Sequence, residues 1–505
     1  MKKQFLLVLA TIAVLMTFVQ PVMATNGMNM IGYGARMSGM GGVGLAMKND
    51  SNLMNTNPAA ITSIDGRRFD AGIGLLMPQV SFKNDLNDLD ADSAIFPLPS
   101  IGYVCNKGDS PWAFGVGFYA QGGMGAKFKD MKHDTFRDYN SPTMSLIEQE
   151  YKSSIAYMKL SPTVAYEITE KISVGASLNI GYAMMEMAMP HSLSPSAMQG
   201  AIPGFGGMTF GQLFAAPNAQ GGLGYDEVTA YADLGDGVTG TGFGYKFGVQ
   251  YQALEKLSLG FSYTNKTTLD FSGEASMDMT SQFGDAFGRM VQGKIQGGLA
   301  SDQQAAAGLV MADLTAMGID MSKGMAAMYD VDIEFAWPQE FGFGAAYEAN
   351  DRLTIAADLR WINWKDSMDK FVMKLSGGTN ANVNAMMGGA DITVDMPMNW
   401  DDQIVFALGA EYLATEELAL RAGFNIGNNP VPAETVIPIF PAVVENHVTL
   451  GVGYNITENI SLDAAYEHVF SNSLDVNNSI IANEYDGSTS ELAENILHFS
   501  VGYSF

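Results

Sequence analysis

A single cysteine, Cys105, stands in a chain of 505 residues. One thiol can build neither a disulfide framework nor a cysteine metal site, so Cys105 is expected to be an inert thiol buried in the fold. Histidine is also scarce, limited to His133, His191, His447, His468 and His498. None of the five adjoins a recognisable nucleophile motif, and a Ser-His hydrolase needs one, so catalysis is not expected. Basic charge is short as well: 27 Lys and Arg face 54 Asp and Glu, a formal balance of −27 that argues against nucleic-acid partners. No Gly-rich phosphate cradle with its Lys follows a strand-like run, so no nucleotide cofactor is expected and any transport should be passive diffusion. After residue 19 no stretch of ~18 uninterrupted apolar residues occurs, which excludes a transmembrane helix from the rest of the chain.

The one long apolar run lies at the start. Lys2 and Lys3 precede Phe5 to Val19, and the run closes on Val22-Met23-Ala24, small residues at the positions a signal peptidase reads. Residues 1–24 are therefore expected to be a signal peptide, with a mature chain that begins near Thr25 and carries a balance of −29.

What the mature chain does have is glycine and aromatic residues: 56 Gly, 28 Phe and 20 Tyr, with 47% hydrophobic and only 16% charged residues. That composition suits strands with bare or aromatic faces better than helices. Period-2 alternation is plain where Phe243, Tyr245, Phe247, Val249 and Tyr251 alternate with Gly244, Lys246, Gly248 and Gln250. It recurs where Val448, Leu450, Val452 and Tyr454 alternate with Thr449, Gly451, Gly453 and Asn455. Fourteen such strands can be placed between residues 67 and 505, an even number, joined alternately by short turns and long links. Short turns on the periplasmic side and long loops outside mark a bacterial transmembrane barrel. The final strand supports it, since Leu497, Phe499, Val501, Tyr503 and the terminal Phe505 share one face and His498 the other. Pairing that strand with the first would leave no open edge in hydrocarbon. The expected fold is an all-β transmembrane antiparallel barrel of fourteen strands over residues 67–505, in the outer membrane of a Gram-negative bacterium.

Residues 25–66 are glycine-rich rather than strand-like and could fold compactly inside a lumen. Here the chain resembles the long-chain fatty-acid transporters of outer membranes, the FadL family. The resemblance rests on Ser38-Gly39-Met40-Gly41 and Asn57-Pro58-Ala59 in this amino-terminal stretch. It continues with Trp337-Pro338-Gln339-Glu340, Trp361-Ile362-Asn363-Trp364 and Asn429-Pro430-Val431-Pro432-Ala433, in that order, over essentially the whole mature chain. It implies a fourteen-stranded barrel plugged by an amino-terminal hatch, with Ser38, Gly39, Gly41, Asn57, Pro58 and Ala59 as hatch residues. It also implies diffusion of a hydrophobic small molecule such as a fatty acid: capture among the outer loops, transfer to the lumen, and release sideways through a kink in the third strand.

The residues can be asked about each step. The loops 190–239 and 275–331 are apolar for extracellular segments. Phe205, Phe210, Leu213 and Phe214 in the first, and Phe283, Phe287 and Met290 at helical spacing in the second, are candidates for a capture groove. They are equally suited to a small loop core. Gly122, Gly123 and Gly125 are candidates for the wall kink, because missing side chains favour a bulge. Lys159, Lys246, Arg360 and Arg421 fall on lumen faces by parity and could meet a carboxylate headgroup, or instead pair with acids such as Asp358 or Asp463. The family often has basic residues late in the fifth strand, whereas here that stretch reads Ala183-Met184-Met185-Glu186-Met187-Ala188-Met189. Outer-membrane lipids and lipopolysaccharide are expected neighbours, a monomer is the default state, and no cofactor or metal is called for. A general porin for polar solutes is the alternative reading, with an outer-membrane lipid hydrolase behind it.

Overall fold

The computed structural model describes residues 26–505 except 107, 109, 139–142 and 236. The expected signal peptide, residues 1–24, lies outside the described residues. Twenty strands form one antiparallel sheet. In order they are β1 (Arg67–Lys83), β2 (Asp88–Asp90), β3 (Phe96–Asn106), β4 (Trp112–Arg137), β5 (Leu146–Thr169), β6 (Ile172–Leu193) and β7 (Val228–Asp233). There follow β8 (Val238–Leu254), β9 (Leu257–Thr264), β10 (Thr267–Asp278), β11 (Ala326–Trp337), β12 (Glu340–Asn350), β13 (Leu353–Ile362) and β14 (Lys370–Ser376). The last are β15 (Ile392–Pro397), β16 (Gln403–Leu413), β17 (Leu418–Gly427), β18 (Asn446–Asn455), β19 (Ile460–Val476) and β20 (Ser488–Ser504).

The sheet closes on itself. β20 pairs with β19 on one side and with β1 on the other, from Arg68 opposite Ser504 to Lys83 opposite Thr489. The alternation read in the sequence sorts the two faces: Phe243 is 71% exposed on the outer face of β8, while Lys246 and Gln250 are buried inside. Leu497, Phe499, Val501 and Tyr503 likewise face outward from β20, and His498 faces in.

The expected count of fourteen strands is corrected. Three stretches expected to be continuous are each broken in two, giving β9/β10, β11/β12 and β13/β14, and β2, β7 and β15 form within what were expected to be links. Two of these breaks have a visible local cause. Pro338 follows Trp337 and brings no N–H to the ladder. A helical turn, Trp364–Ser367, capped by the Asn363 side chain, separates β13 from β14. Asn399 sits at φ +51° between β15 and β16. The expected burial of Cys105 is also corrected, since it is only half-buried near the end of β3.

Residues 26–64 lie against strands from widely separated parts of the sheet, and almost all are buried. Glycines on the inward faces make room for them. A Cβ on Gly260 would come within 1.9 Å of the Leu45 carbonyl, one on Gly175 within 2.5 Å of Pro58, and one on Gly423 within 2.1 Å of the Gly41 nitrogen. Gly41 itself has φ +69°, and a Cβ there would meet the Phe424 backbone at 2.7 Å, so only glycine fits both the conformation and the approach.

Candidate functional site

The site begins with a fault in the wall. β3 and β4 pair from Asn106 opposite Ala113 up to Ser100 opposite Tyr119 and then part, although both strands continue. On its other side β4 stays paired with β5, but the register slips between Ala120 and Gly122, leaving Gln121 as a bulge. A straight membrane strand alternates exposed and buried residues, whereas Phe118 through Ala126 are all buried. β4 therefore bends inward beside the gap. Gly122 and Gly123 lie at the bend, where Met28 and Met30 of the amino-terminal segment cover it: Gly123 N donates to the Met28 carbonyl (3.0 Å) and Met30 N to the Gln121 carbonyl (3.3 Å). Gly125 sits against the Ser153 carbonyl, where a Cβ would be 2.7 Å away.

The strand opposite the gap has its own adaptation. Pro97 and Pro99 lie in the part of β3 that pairs with β1 but not with β4. Prolines two apart remove donors from one edge of a strand, so that edge can stand unpaired without stranding N–H groups.

A cavity of about 640 Å³ opens at this fault. Pro78, Val80 and Phe96 bound it on one side, Ala126, Ala156 and Met184 on the other. Lys127 and Lys152, cross-strand partners in β4 and β5, stand at its rim; Lys127 is paired with Glu150 (2.6 Å) and Lys152 with Glu186. A second, smaller cavity of about 40 Å³ is almost wholly apolar, with Met185, Met187, Met368, Met396 and Met398 in its lining together with Phe335. The two share Ser153, Ser154, Met185 and Glu186. No Lys or Arg lines the apolar cavity. Its methionines are the run Met185-Glu186-Met187 in β6, where the sequence departs from the basic pattern, plus residues brought from β15 and the links beside it. Unbranched thioethers adapt to varied apolar shapes, which was the available signal; the missing information was which distant strand faces β6.

An aromatic chain crosses the lumen beside these cavities, from Tyr157 to Trp337, Trp364, Trp400 and Phe440, with ring centroids 4.8, 6.1, 5.4 and 5.9 Å apart. Trp337 Nε1 donates to Asn29 Oδ1 (2.6 Å), tying the chain to the amino-terminal segment. The strand breaks place these rings there.

The four candidate cations do not share one pocket. Lys246 and Arg360 line a polar cavity of about 10 Å³ beneath the amino-terminal segment. Lys246 Nζ donates to the Asn55 carbonyl (2.5 Å), and Arg360 to the Gly42 carbonyl (2.8 Å) and to Asp358 (3.3 Å). Lys159 is buried, and among the described residues it forms no ion pair. Arg421 is held by Glu411 and Asp463, each at 2.6 Å, and Arg36 of the amino-terminal segment joins Glu411 at 2.9 Å. Near them Asp50 is pushed up to about 6 by burial and by the neighbouring Asp70, against the pull of Arg68 and Arg36.

Ser38, Gly39, Gly41, Asn57, Pro58 and Ala59 all lie in the buried segment. Asn57 caps the short helix Pro58–Ser63 through Ala59 N, and its side-chain amide donates to the Leu45 carbonyl (2.7 Å) and to the Val249 carbonyl of β8 (3.0 Å). Pro58 at the first helical position loses no bond there.

Among the outer loops, Phe210 and Phe214 are buried on the helix Phe210–Ala215, and Phe283 on the helix Thr280–Gln296. Leu213, Phe287 and Met290 are half-buried against the same core, and Phe205 is 49% exposed. The large cleft between these loops, about 620 Å³, is lined instead by polar and acidic side chains, a pattern the apolar loop composition did not suggest.

The comparisons with known proteins agree with this architecture. The long-chain fatty acid transport protein of Escherichia coli K12 is 20% identical over 92% of this chain and 90% of its own length. A putative outer membrane protein of Neisseria meningitidis serogroup B is 22% identical, over 46% of this chain and 42% of its own. The toluene transporter TodX of Pseudomonas putida superposes with a TM-score of 0.67 at 19% identity, covering 95% of this chain and 100% of that one. A Pseudomonas aeruginosa FadL homologue does so at 0.64 and 20% identity, over 96% and 100%. Residues 21–505 match the family model described as outer membrane protein transport protein (OMPP1/FadL/TodX), and the chain belongs to that family of outer-membrane β-barrel channels for hydrophobic compounds.

Proposed function

We propose that the protein carries hydrophobic molecules passively through the outer membrane, with the fault between β3 and β4 as a lateral exit. The observation that carries this reading is the parting of the two strands beyond Tyr119, beside a cavity bounded by Pro78, Val80, Phe96 and Met184. Hydrocarbon tolerates an unpaired strand edge poorly, so such a gap in a barrel wall implies something that passes or seals it. Ligand passes from the loops at Phe205, Phe210, Leu213, Phe214, Phe283, Phe287 and Met290 to the methionine-lined cavity and out past Gly122, Gly123 and Gly125. Residues 25–66 act as the hatch that keeps the lumen from conducting water. Long-chain fatty acids and apolar hydrocarbons both fit the apolar lining. A carboxylate would find its partner at Lys159, Lys246 or Arg360 after the hatch shifts, while Arg421 serves the ion-pair network. The chain works as a monomer with outer-membrane lipids and lipopolysaccharide around it.

Deleting Gln121 tests the route, because it removes the bulge and restores the β4 register. Uptake of radiolabelled oleate and toluene by cells carrying the deletion should fall by about tenfold or more, with the barrel still heat-modifiable on gels. Undiminished uptake would remove the lateral exit from the proposal. Comparing the two ligands in the unaltered protein decides the substrate class.

A further inference from the structure

The wall forks at β8. One stretch of its edge pairs with β9, up to Lys246 opposite Thr264, and the next pairs instead with β10, from Thr241 opposite Asp270 to Thr239 opposite Ser272. Two rows run on from the fork: β9, β12, β13 and β16 below, and β10, β11, β14 and β15 above. Among the described residues no ladder joins one row to the other, and the chain crosses between them at 265–266, 338–339, 363–369 and 398–402. The outer faces of the rows differ across this seam. Below it Phe261, Phe343, Leu359, Ile404 and Phe406 are exposed. Just beneath it Tyr245, Tyr263, Phe341 and Trp361 are neighbours, with ring centroids 6.2, 4.7 and 5.6 Å apart in turn. Above it the exposed positions hold Asp270, Glu274, Asp332, Glu334, Lys374 and Asp395. An apolar band edged by aromatic side chains marks the limit of the hydrocarbon, so the seam lies at the outer surface of the membrane and the upper row stands in water.

The inner face of the upper row is apolar, with Phe335, Phe371, Met373, Val394 and Met396 buried. Its far edge is open, since β15 pairs with β14 and with no other strand among the described residues. The link 428–445 lies beyond that edge. Thr435 Oγ1 donates to the Met398 carbonyl (2.7 Å) at the end of the row, and the Val443 carbonyl accepts from Asn472 of β19 (2.7 Å). Pro430, Pro432, Pro438 and Pro441 leave the link short of N–H groups for a ladder. The methionine-lined cavity lies where three parts meet: the row supplies Phe335 and Met396, the link Ile437 and Ile439, and the β5–β6 wall Ile155 and Met185. At about 40 Å³ it must enlarge several-fold to take even one aromatic ring. The β5–β6 wall resists that, because it is laddered without a gap to β4 on one side and β8 on the other. The upper row is held more lightly: by β8 at Thr239–Thr241, by β7 at Tyr231–Asp233, and at its far edge by no ladder.

We propose that β10, β11, β14 and β15 form a lid that swings on the seam at the membrane surface. Its β15 edge parts from the link 428–445 and admits hydrophobic ligand to the methionine-lined cavity. The lid rests on the channel reading above and is the way into that channel's inner cavity. Parting exposes apolar side chains to water, which keeps the lid shut until an apolar ligand covers them. The unbranched thioethers of Met185, Met396 and Met398 repack around what enters.

Distances between paired spin labels, measured in the full-length protein in nanodiscs with Cys105→Ser as background, test the lid. Labels at Thr393→Cys in β15 and Ser473→Cys in β19 span the link. Labels at Leu408→Cys in β16 and Val452→Cys in β18, below the seam, are the control. Toluene or laurate should move the first pair to longer distances and leave the control unchanged. Thr435→Val removes the bond to Met398 but keeps the shape, and should raise the long-distance fraction about fivefold without ligand, the worth of one buried hydrogen bond. Equilibrium dialysis with radiolabelled toluene and laurate measures binding alongside. Ligand bound while the first pair stays put would overturn the lid and leave the channel reading standing. No binding of either ligand would overturn both. A shift shared by the control pair, the response of a barrel that deforms as a whole, would also overturn the lid.

Discussion

Asp50 shows how the amino-terminal segment sets charge chemistry at single positions. Its carboxylate caps the helix Ser51–Asn55 through Asn52 N, but burial and Asp70 raise it from 3.8 to about 6. The folded state therefore binds a proton that the unfolded state releases between about pH 4 and pH 6. Stability falls as pH rises through that window, because the ionised side chain is disfavoured in the folded state. Asp50→Asn keeps a capping oxygen and removes the charge, so it should stabilise the protein at pH 8 and leave it unchanged at pH 4. Unfolding by guanidinium at the two pH values, followed by tryptophan fluorescence, measures the difference; equal effects at both would show that Asp50 does not titrate in the window. Single residues also explain what parity alone could not separate. Lys246, Arg360 and Arg421 all face inward as read from the sequence, but Asn55 and Gly42, which hold the first two, come from segments far away along the chain, while Arg421 meets Glu411 directly across the β16–β17 pair.

At the scale of elements, the short helix Pro58–Ser63 and its cap link the segment to the wall. Asn57 makes three hydrogen bonds, to Ala59 N within the helix, to the Leu45 carbonyl and to the Val249 carbonyl. Asn57→Ala loses a cap and leaves two buried carbonyls without that donor, about 1–3 kcal/mol of local stability. Hydrogen exchange over residues 50–64 should rise several-fold while the strands stay protected; protection equal to the parent would mean that the anchor lies elsewhere. The strands were legible in outline because period-2 alternation survives wherever one face meets lipid, as in β8, β18 and β20. The breaks between β9 and β14 were not, although Pro338 and Asn363 mark two of them, because an inward aromatic cluster makes those stretches read as continuous strand. The inward bend of β4 was half legible. Its glycines signalled a bulge, but Pro97 and Pro99, which let β3 stand unpaired, take their meaning only from the register with β1.

For the whole molecule, the sheet closes on itself and residues 26–64 lie buried against it. If residues 25–66 are the proposed hatch, removing residues 27–57 should raise single-channel conductance in planar bilayers; unchanged conductance would mean that the segment does not occlude the lumen. Large steady currents from the intact protein would favour the general-porin alternative instead. By itself the sequence determined the class of architecture: alternation fixes which side chains meet lipid, and the terminal aromatic strand closes the sheet. Its glycine richness was visible without its meaning. Only the tertiary structure decided that Gly175, Gly248, Gly260 and Gly423 are seats for the inner segment, since a missing Cβ matters only where another backbone arrives. It likewise decided that Met185 and Met187 share an apolar cavity with Phe335 and Met396, and that acids from five segments line one cleft. The physical reason is common to all three: alternation is a property of neighbours along one strand, while a cavity is made by residues that closure of the barrel brings together from strands and loops far apart in the chain.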